Sequence, residues 1–176
     1  VAANYARAVS HYRENRIDEA LATIDKLITQ EPKNPYFYEL KGQMLVDFGR
    51  VKNALPAYQK AIDIMPQSGL IRTALAHVQI ETAGENASKL NKAIENLKRA
   101  HQDEPRSTRV HRLLATAYGR QGKDAFARLH LAEEALLQGK KPYAKQQATI
   151  ALKDLPENSA SALRAKDILS YIEKKK

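Results

Sequence analysis

The sequence predicts an all-α chain of antiparallel helical hairpins stacked one on another, and three observations carry that prediction. Ala20, Ile24, Leu27 and Pro32 recur as Ala54, Tyr58, Ala61 and Pro66, each displaced by 34 residues. The set returns 39 residues later as Ala93, Leu97, Ala100 and Pro105, and again 51 residues beyond that as Ala144, Ala148, Ala151 and Pro156. No stretch of useful length alternates apolar and polar residues as a half-buried strand would. Thirty-four residues give about 17 to each helix with its turn, the length of a helix–turn–helix unit. One such pair cannot bury its apolar face alone, so a fixed period implies a stack in which neighbours supply the core.

In chain order the helices are expected near 3–14, 17–30, 35–48, 51–64, 69–83, 88–103, 107–121, 124–138, 141–154 and 159–173. Small residues at Ala20, Ala54, Ala93 and Ala144 belong where two antiparallel helices cross closely, since a larger side chain would push the axes apart. Proline closes each second helix, because it cannot continue one. Asp18 and Asp124 put carboxylates near helix starts, where the dipole favours them. Gly49 stands where Asn15 stands in the first unit, and Gly122 and Gly139 mark helix ends. Pro56 is placed in or near the first turn of its helix, where a lost N–H matters least. The 39-residue step is one unit plus five residues, assigned to an inserted polar loop near 81–92 that contains Gly84, Asn86 and Ser88. The 51-residue step is one unit plus a single helix, so three helices are expected between Arg106 and Lys153. The last segment carries Ala165, Ile168, Leu169 and Ile172 on one stripe, which reads as a capping helix. The chain is therefore read as one domain, 1–176. Its units are 1–34, 35–68 and 69–107, then an unpaired extra helix at 108–124, a unit at 125–158 and a cap at 159–173. Lys174, Lys175 and Lys176 read as a solvated end.

Composition narrows the function. A chain of 176 residues that is 43% hydrophobic and 28% charged is globular rather than disordered. Cysteine is absent, which excludes disulfides, thiolate metal sites and thiol nucleophiles. No apolar run approaches the roughly 18–20 residues that span a bilayer. Starting at Val1 without a signal-peptide pattern, the chain is expected to be processed or part of a longer one. The net charge of +9 is uneven: residues 1–88 hold 10 basic and 10 acidic side chains, whereas residues 89–176 hold 19 and 10. Such asymmetry points to an acidic partner, a neighbouring acidic domain, an anionic surface or nucleic acid. The few tyrosines of the basic half (Tyr118, Tyr143 and Tyr171) speak against stacking on single strands.

Nothing in the sequence assembles a reaction centre. His77 with Glu81 and His130 with Glu134 have helical i, i+4 spacing, but a metal would need a further ligand from another helix, so both read as exposed polar pairs. Glu133 and Glu134 are adjacent, point about 100° apart on a helix and cannot flank one bond. No Gly-rich loop follows a strand. The chain by itself is expected to be no enzyme and to hold no cofactor.

With Tyr5, Ala8, Asp18-Glu19-Ala20, Ile24, Leu27 and Pro32 in residues 1–34, and Tyr38, Gly42, Gly49, Ala54, Tyr58, Ala61 and Pro66 in residues 35–68, the unit resembles the tetratricopeptide repeat (TPR). Ala8 and Ala76 stand where that family usually has Gly. The resemblance implies a helical-hairpin solenoid, a right-handed superhelix whose first helices line a groove for a protein or peptide partner. Its groove positions fall on Ala2, Tyr5, Val9, Tyr12 and Arg13 in the first unit. In the second they fall on Tyr36, Glu39, Gln43, Val46 and Asp47, and in the third on Leu70, Thr73, His77, Ile80 and Glu81. In the fourth they fall on Arg109, Arg112, Thr116, Gly119 and Arg120, of which helical spacing puts the three arginines near one face as an anion-seeking pole. Tyr5 and Val9 replace the Lys and Asn of chaperone-tail-binding TPR domains, so that carboxylate clamp is not expected.

A narrower likeness rests on Ala115-Thr-Ala-Tyr-Gly-Arg-Gln-Gly-Lys123, Leu131-Ala-Glu-Glu-Ala-Leu-Leu-Gln-Gly139 and Arg164-Ala-Lys-Asp-Ile168. These stretches look like the carboxy-terminal TPR modules of BepA-type periplasmic zinc metallopeptidases. That resemblance implies a periplasmic location and a role in docking a protease domain or an outer-membrane protein. It also implies zinc only in a separate HExxH domain, of which this chain carries no trace.

Overall fold

The computed structural model describes residues 1–174; of the expected solvated end, Lys175 and Lys176 lie outside them. Among the described residues there are ten α-helices and no strand. They are α1 (Ala2–Arg13), α2 (Ile17–Gln30), α3 (Pro35–Asp47), α4 (Val51–Ile64), α5 (Gly69–Ala83), α6 (Ala87–Asp103), α7 (Thr108–Arg120), α8 (Asp124–Leu137), α9 (Lys141–Asp154) and α10 (Ala160–Lys174). The chain forms two compact units, Val1–Thr82 and Ala83–Lys176.

In the first unit, α1–α2 and α3–α4 are hairpins closed by the same turn. Asn15 (φ 58°) and Gly49 (φ 73°), 34 residues apart, both take the left-handed conformation that reverses the chain, which is why only Asn and Gly occupy this point of the repeat. Pro35 opens α3 at its first turn, and the Asn34 side chain caps the helix by accepting from Tyr36 N–H at 3.1 Å. The core is layered: Ala8, Ala20, Ile24, Leu27, Phe37 and Met44 form one cluster, and Leu45, Ala54, Tyr58, Ala61, Ile62, Ile71, Leu75 and Val78 the next. The conserved period thus places an alanine, 0% exposed at both Ala20 and Ala54, wherever backbones approach.

Gly42 is close-packed against a side chain. A Cβ built there meets the Tyr58 ring at 2.8 Å, and Tyr58 is only 2% exposed, so the ring has nowhere to go. Ala8, one period earlier, faces a cluster in which Ile24 takes the place of the tyrosine, and a methyl is accommodated. Gly42→Ala should therefore be destabilising, because overpacking costs roughly 1–3 kcal/mol and outweighs the ~1 kcal/mol that alanine gains in a helix. Urea unfolding checks this. A variant more stable than the parent would contradict the crowding argument, whereas Tyr58→Leu should relieve the defect in the double variant.

Two expectations are corrected here. Pro56 lies inside α4, past its first turn; it is exposed, so the Lys52 carbonyl it deprives of a donor faces water. The five extra residues of the third unit do not form a loop at 81–92. They lengthen α5 to 15 and α6 to 17 residues, leaving only Gly84, Glu85 and Asn86 between them. The Asn86 side chain accepts from Lys89 N–H at 3.0 Å, and Leu90, Ala93, Ile94 and Leu97 are buried beyond it. The polar residues of this stretch are the wet face of an amphipathic helix.

In the second unit, α7, α8 and α9 are the three helices expected between Arg106 and Lys153. The extra helix α7 is not left unpaired. It lies along α8, which packs α9 on its other side, and both turns are Gly-Lys with positive φ at Gly122 (68°) and Gly139 (74°). The core joins Leu129, Ala132 and Ala135 of α8 to Ala144, Ala148 and Ala151 of α9 and to Ala162, Ala165, Ile168 and Ile172 of α10. That is the apolar stripe expected of a cap.

Candidate functional site

The predicted groove residues fall in both units. In the first, α1 and α3 bring several of them together. Tyr12 donates its hydroxyl proton to Asp47, whose carboxylate also accepts from Gln43 Nε2 at 2.8 and 2.9 Å. The Tyr12 ring meets Phe48 edge-on at 5.6 Å. Burial, and then the Asp47 acceptor, push the Tyr12 hydroxyl up to about 12, so it remains a donor at any ordinary pH. These three residues therefore tie α1 to α3 rather than await a ligand. Glu39 is half-buried, which raises its carboxyl.

Tyr5 and Tyr36 behave differently. Tyr5 is 45% and Tyr36 58% exposed, with the Tyr5 ring 6.3 Å from Phe37. An open cleft of about 510 Å³ runs along α1, lined by Tyr5, Ala6, Val9, Ser10, Arg13 and Glu14. It gathers Tyr5, Val9 and Arg13 of the predicted set. His77, half-buried, and Glu81, exposed, lie on α5 of the same unit.

In the second unit Arg109, Arg112 and Arg120 are all exposed on α7, but Arg112 is committed. Its Nε donates to both oxygens of Glu134 at 2.8 and 3.0 Å, its Nη2 donates as well, and Gln138 Nε2 adds a bond at 3.0 Å. One residue earlier, Glu133 receives Arg164 of α10, through Nε and through Nη2 at 2.9 Å. The 100° between adjacent helical positions sends the two carboxylates to opposite neighbours, so α8 holds α7 and α10 by two forked ion pairs. Both carboxylates are buried, 8% and 6% exposed. Glu134 and His130 are thus not an exposed pair, as their spacing had led one to expect.

His130 belongs to a stack of rings that the sequence reading missed. Phe126, Tyr118, His130, His111 and His101 follow one another at centroid distances of 5.4, 5.6, 5.5 and 4.8 Å across α6, α7 and α8, the first three contacts stacked and the last edge-on. His111 and His130 share one hydrogen bond, Nδ1 to Nδ1, at 3.2 Å. Burial lowers His111 to about 4 and His130 to about 3, so both rings are neutral at pH 7. No group of three or more His, Cys, Asp or Glu among the described residues is arranged to hold a metal. The one available signal was the i, i+19 step from His111 to His130, which matches the hairpin connecting their helices.

Hairpins closed by left-handed turns and layered on alanine crossings define a TPR-type solenoid fold. Residues 5–69 match the tetratricopeptide repeat family model. Solved structures with the same fold include MamA of Desulfovibrio magneticus, which is 14% identical with a TM-score of 0.73 and covers 98% of this chain and 93% of that one. A thermophilic TPR protein of Thermus thermophilus is 20% identical with a TM-score of 0.54, covering 93% and 95%. YrrB, described as a TPR protein with an unusual peptide-binding site, is 19% identical with a TM-score of 0.54, covering 91% and 88%. At these identities the likeness is one of fold. No curated protein sequence matches the chain, and no helix among the described residues is long and apolar enough to cross a membrane.

Proposed function

We propose that the chain is a non-catalytic scaffold that binds a protein partner through the α1–α3 face of its first unit. The observation that carries this reading is the open cleft along α1 with Tyr5 and Tyr36 exposed beside a core that is already filled. Large aromatic side chains left in water gain most when a partner covers them, and they are common interface anchors. In the finer form that the BepA-type likeness supports, the partner is a zinc metallopeptidase domain or an unfolded outer-membrane protein in the periplasm. Zinc would then belong to that other domain.

Titration with a BepA-type HExxH domain, and separately with a urea-unfolded outer-membrane β-barrel protein, tests both forms. Tyr5→Ser with Tyr36→Ser should weaken binding by about tenfold or more, since each aromatic anchor contributes more than ~1 kcal/mol, and should leave the melting temperature unchanged. Unaltered affinity would remove this face from consideration. Binding only the unfolded protein would discard the protease reading and keep the scaffold. Affinity for nucleic acid that falls log-linearly and steeply with salt would instead favour an anionic partner for the basic half.

A further inference from the structure

We infer that the second unit carries a recognition cleft for the carboxylate of an acidic side chain, where α7 and α8 meet the start of α9. The inference rests on the scaffold reading only in that the carboxylate would come from a protein partner. The cleft holds about 290 Å³, and its polar lining is Arg112, Glu134, Gln138, Lys140 and Tyr143.

Charge identifies the ligand. Glu134 is buried and already accepts from Arg112 and Gln138, so it offers little to a newcomer. The Arg112 side chain nevertheless stays 64% exposed, and its Nη1 has no partner among the described residues. The Lys140 ammonium and the Tyr143 hydroxyl also lack one there, and Tyr143 is 44% exposed. Arg112 and Lys140 against Glu134 leave one surplus positive charge in the cleft. A single carboxylate cancels it, whereas a phosphate dianion would bring excess negative charge beside a buried carboxylate. The geometry is also prepared in advance: the fork to Glu134 fixes the guanidinium plane, so little side-chain freedom is lost when its open edge meets a second acceptor. Arg112 thus bridges an internal carboxylate and an external one, and Lys140 adds a second positive charge to the lining of the cleft.

Fluorescence anisotropy with a labelled tetraglutamate peptide, blocked at both ends, tests this, with blocked tetraglutamine as the control. Saturable binding of tetraglutamate alone is expected. Lys140→Glu should weaken it by about tenfold, as reversal of a facing charge does, and the exposed Lys153→Glu, which changes net charge equally, should alter it by less than about twofold. Because Lys140 is exposed and unpaired, its variants should fold; Arg112 is avoided because its loss would strand Glu134. Absence of saturable binding, equal effects of Lys140→Glu and Lys153→Glu, or ready displacement by inorganic phosphate at constant ionic strength would each overturn the assignment. The Tyr5→Ser, Tyr36→Ser variant should bind tetraglutamate as the parent does, so failure of this cleft and failure of the α1–α3 face are separately visible.

Discussion

Acidification from pH 6.5 toward pH 4.5 is expected to destabilise the chain steeply, before most carboxylates titrate. His111 and His130 are depressed to about 4 and about 3 by burial, and the cations facing them (Arg164 near His111, Lys98 near His130) act in the same direction, against the opposing pull of Glu133 and Glu134 on His111. In the unfolded chain both return to the ordinary value near 6.5. Between those limits the unfolded state binds more protons than the folded one, so stability is full above pH 6.5 and falls as pH drops. Two protons correspond to a slope of about 2.7 kcal/mol per pH unit in the steep part of the window. The geometry supplies the reason for the low values: protonating the accepting Nδ1 of the His111–His130 bond would set two N–H groups against each other at 3.2 Å. Glu39, raised by its own burial, contributes with the opposite sign just above the ordinary carboxylate value, within the same window. Urea unfolding at half-unit pH steps gives the slope directly. His130→Phe keeps a ring against Tyr118 and should roughly halve it, to about 1.4 kcal/mol per pH unit. A stability that stays flat between pH 6.5 and 5 in the parent chain would show that these rings are not buried as described.

The second large effect is expected at Arg164. Glu133 is 10% exposed at its side chain, and Arg164 supplies its countercharge from α10. Arg164→Met leaves that carboxylate in a poorly solvated place. Removing one partner of a buried ion pair costs roughly 3–5 kcal/mol, and the half-exposed guanidinium puts this case near the low end, about 3 kcal/mol. Adding Glu133→Leu should recover most of the loss, because the pair's attraction is largely offset by the desolvation of its two charges. The comparison that decides is the single against the double variant in denaturant unfolding at equal m-value. A single-variant loss below about 0.5 kcal/mol would mark the bridge as an ordinary surface pair.

Helix positions were legible in the sequence almost to the residue, because proline, glycine and the spacing of small apolar residues act locally. The 34-residue period marked Ala20 and Ala54 as crossings, and both are fully buried. The stretch 81–92 misled because a polar run reads alike whether it is a loop or the solvent face of a helix capped by Asn86. The candidate site was less legible. Arg112 reads as a wholly free anion-binding residue until Glu134, 22 positions away, is seen to take one edge of its guanidinium. His130 reads as the exposed mate of Glu134, although both leave α8 toward α7, one into a row of rings and one onto Arg112.

The sequence by itself determined that the described residues form ten helices in hairpins with alanine crossings, since turn chemistry and periodicity depend on neighbours along the chain. Only the tertiary structure decided which charges are free. Arg164 is spent on α8 and Arg112 keeps only its outer edge, whereas Lys140 is exposed, and Tyr12 is bound to Asp47 while Tyr5 stays partly in solvent. The physical reason is that an ion pair or hydrogen bond across helices depends on separations of a few ångströms between residues 20 to 35 positions apart. No local pattern encodes that distance.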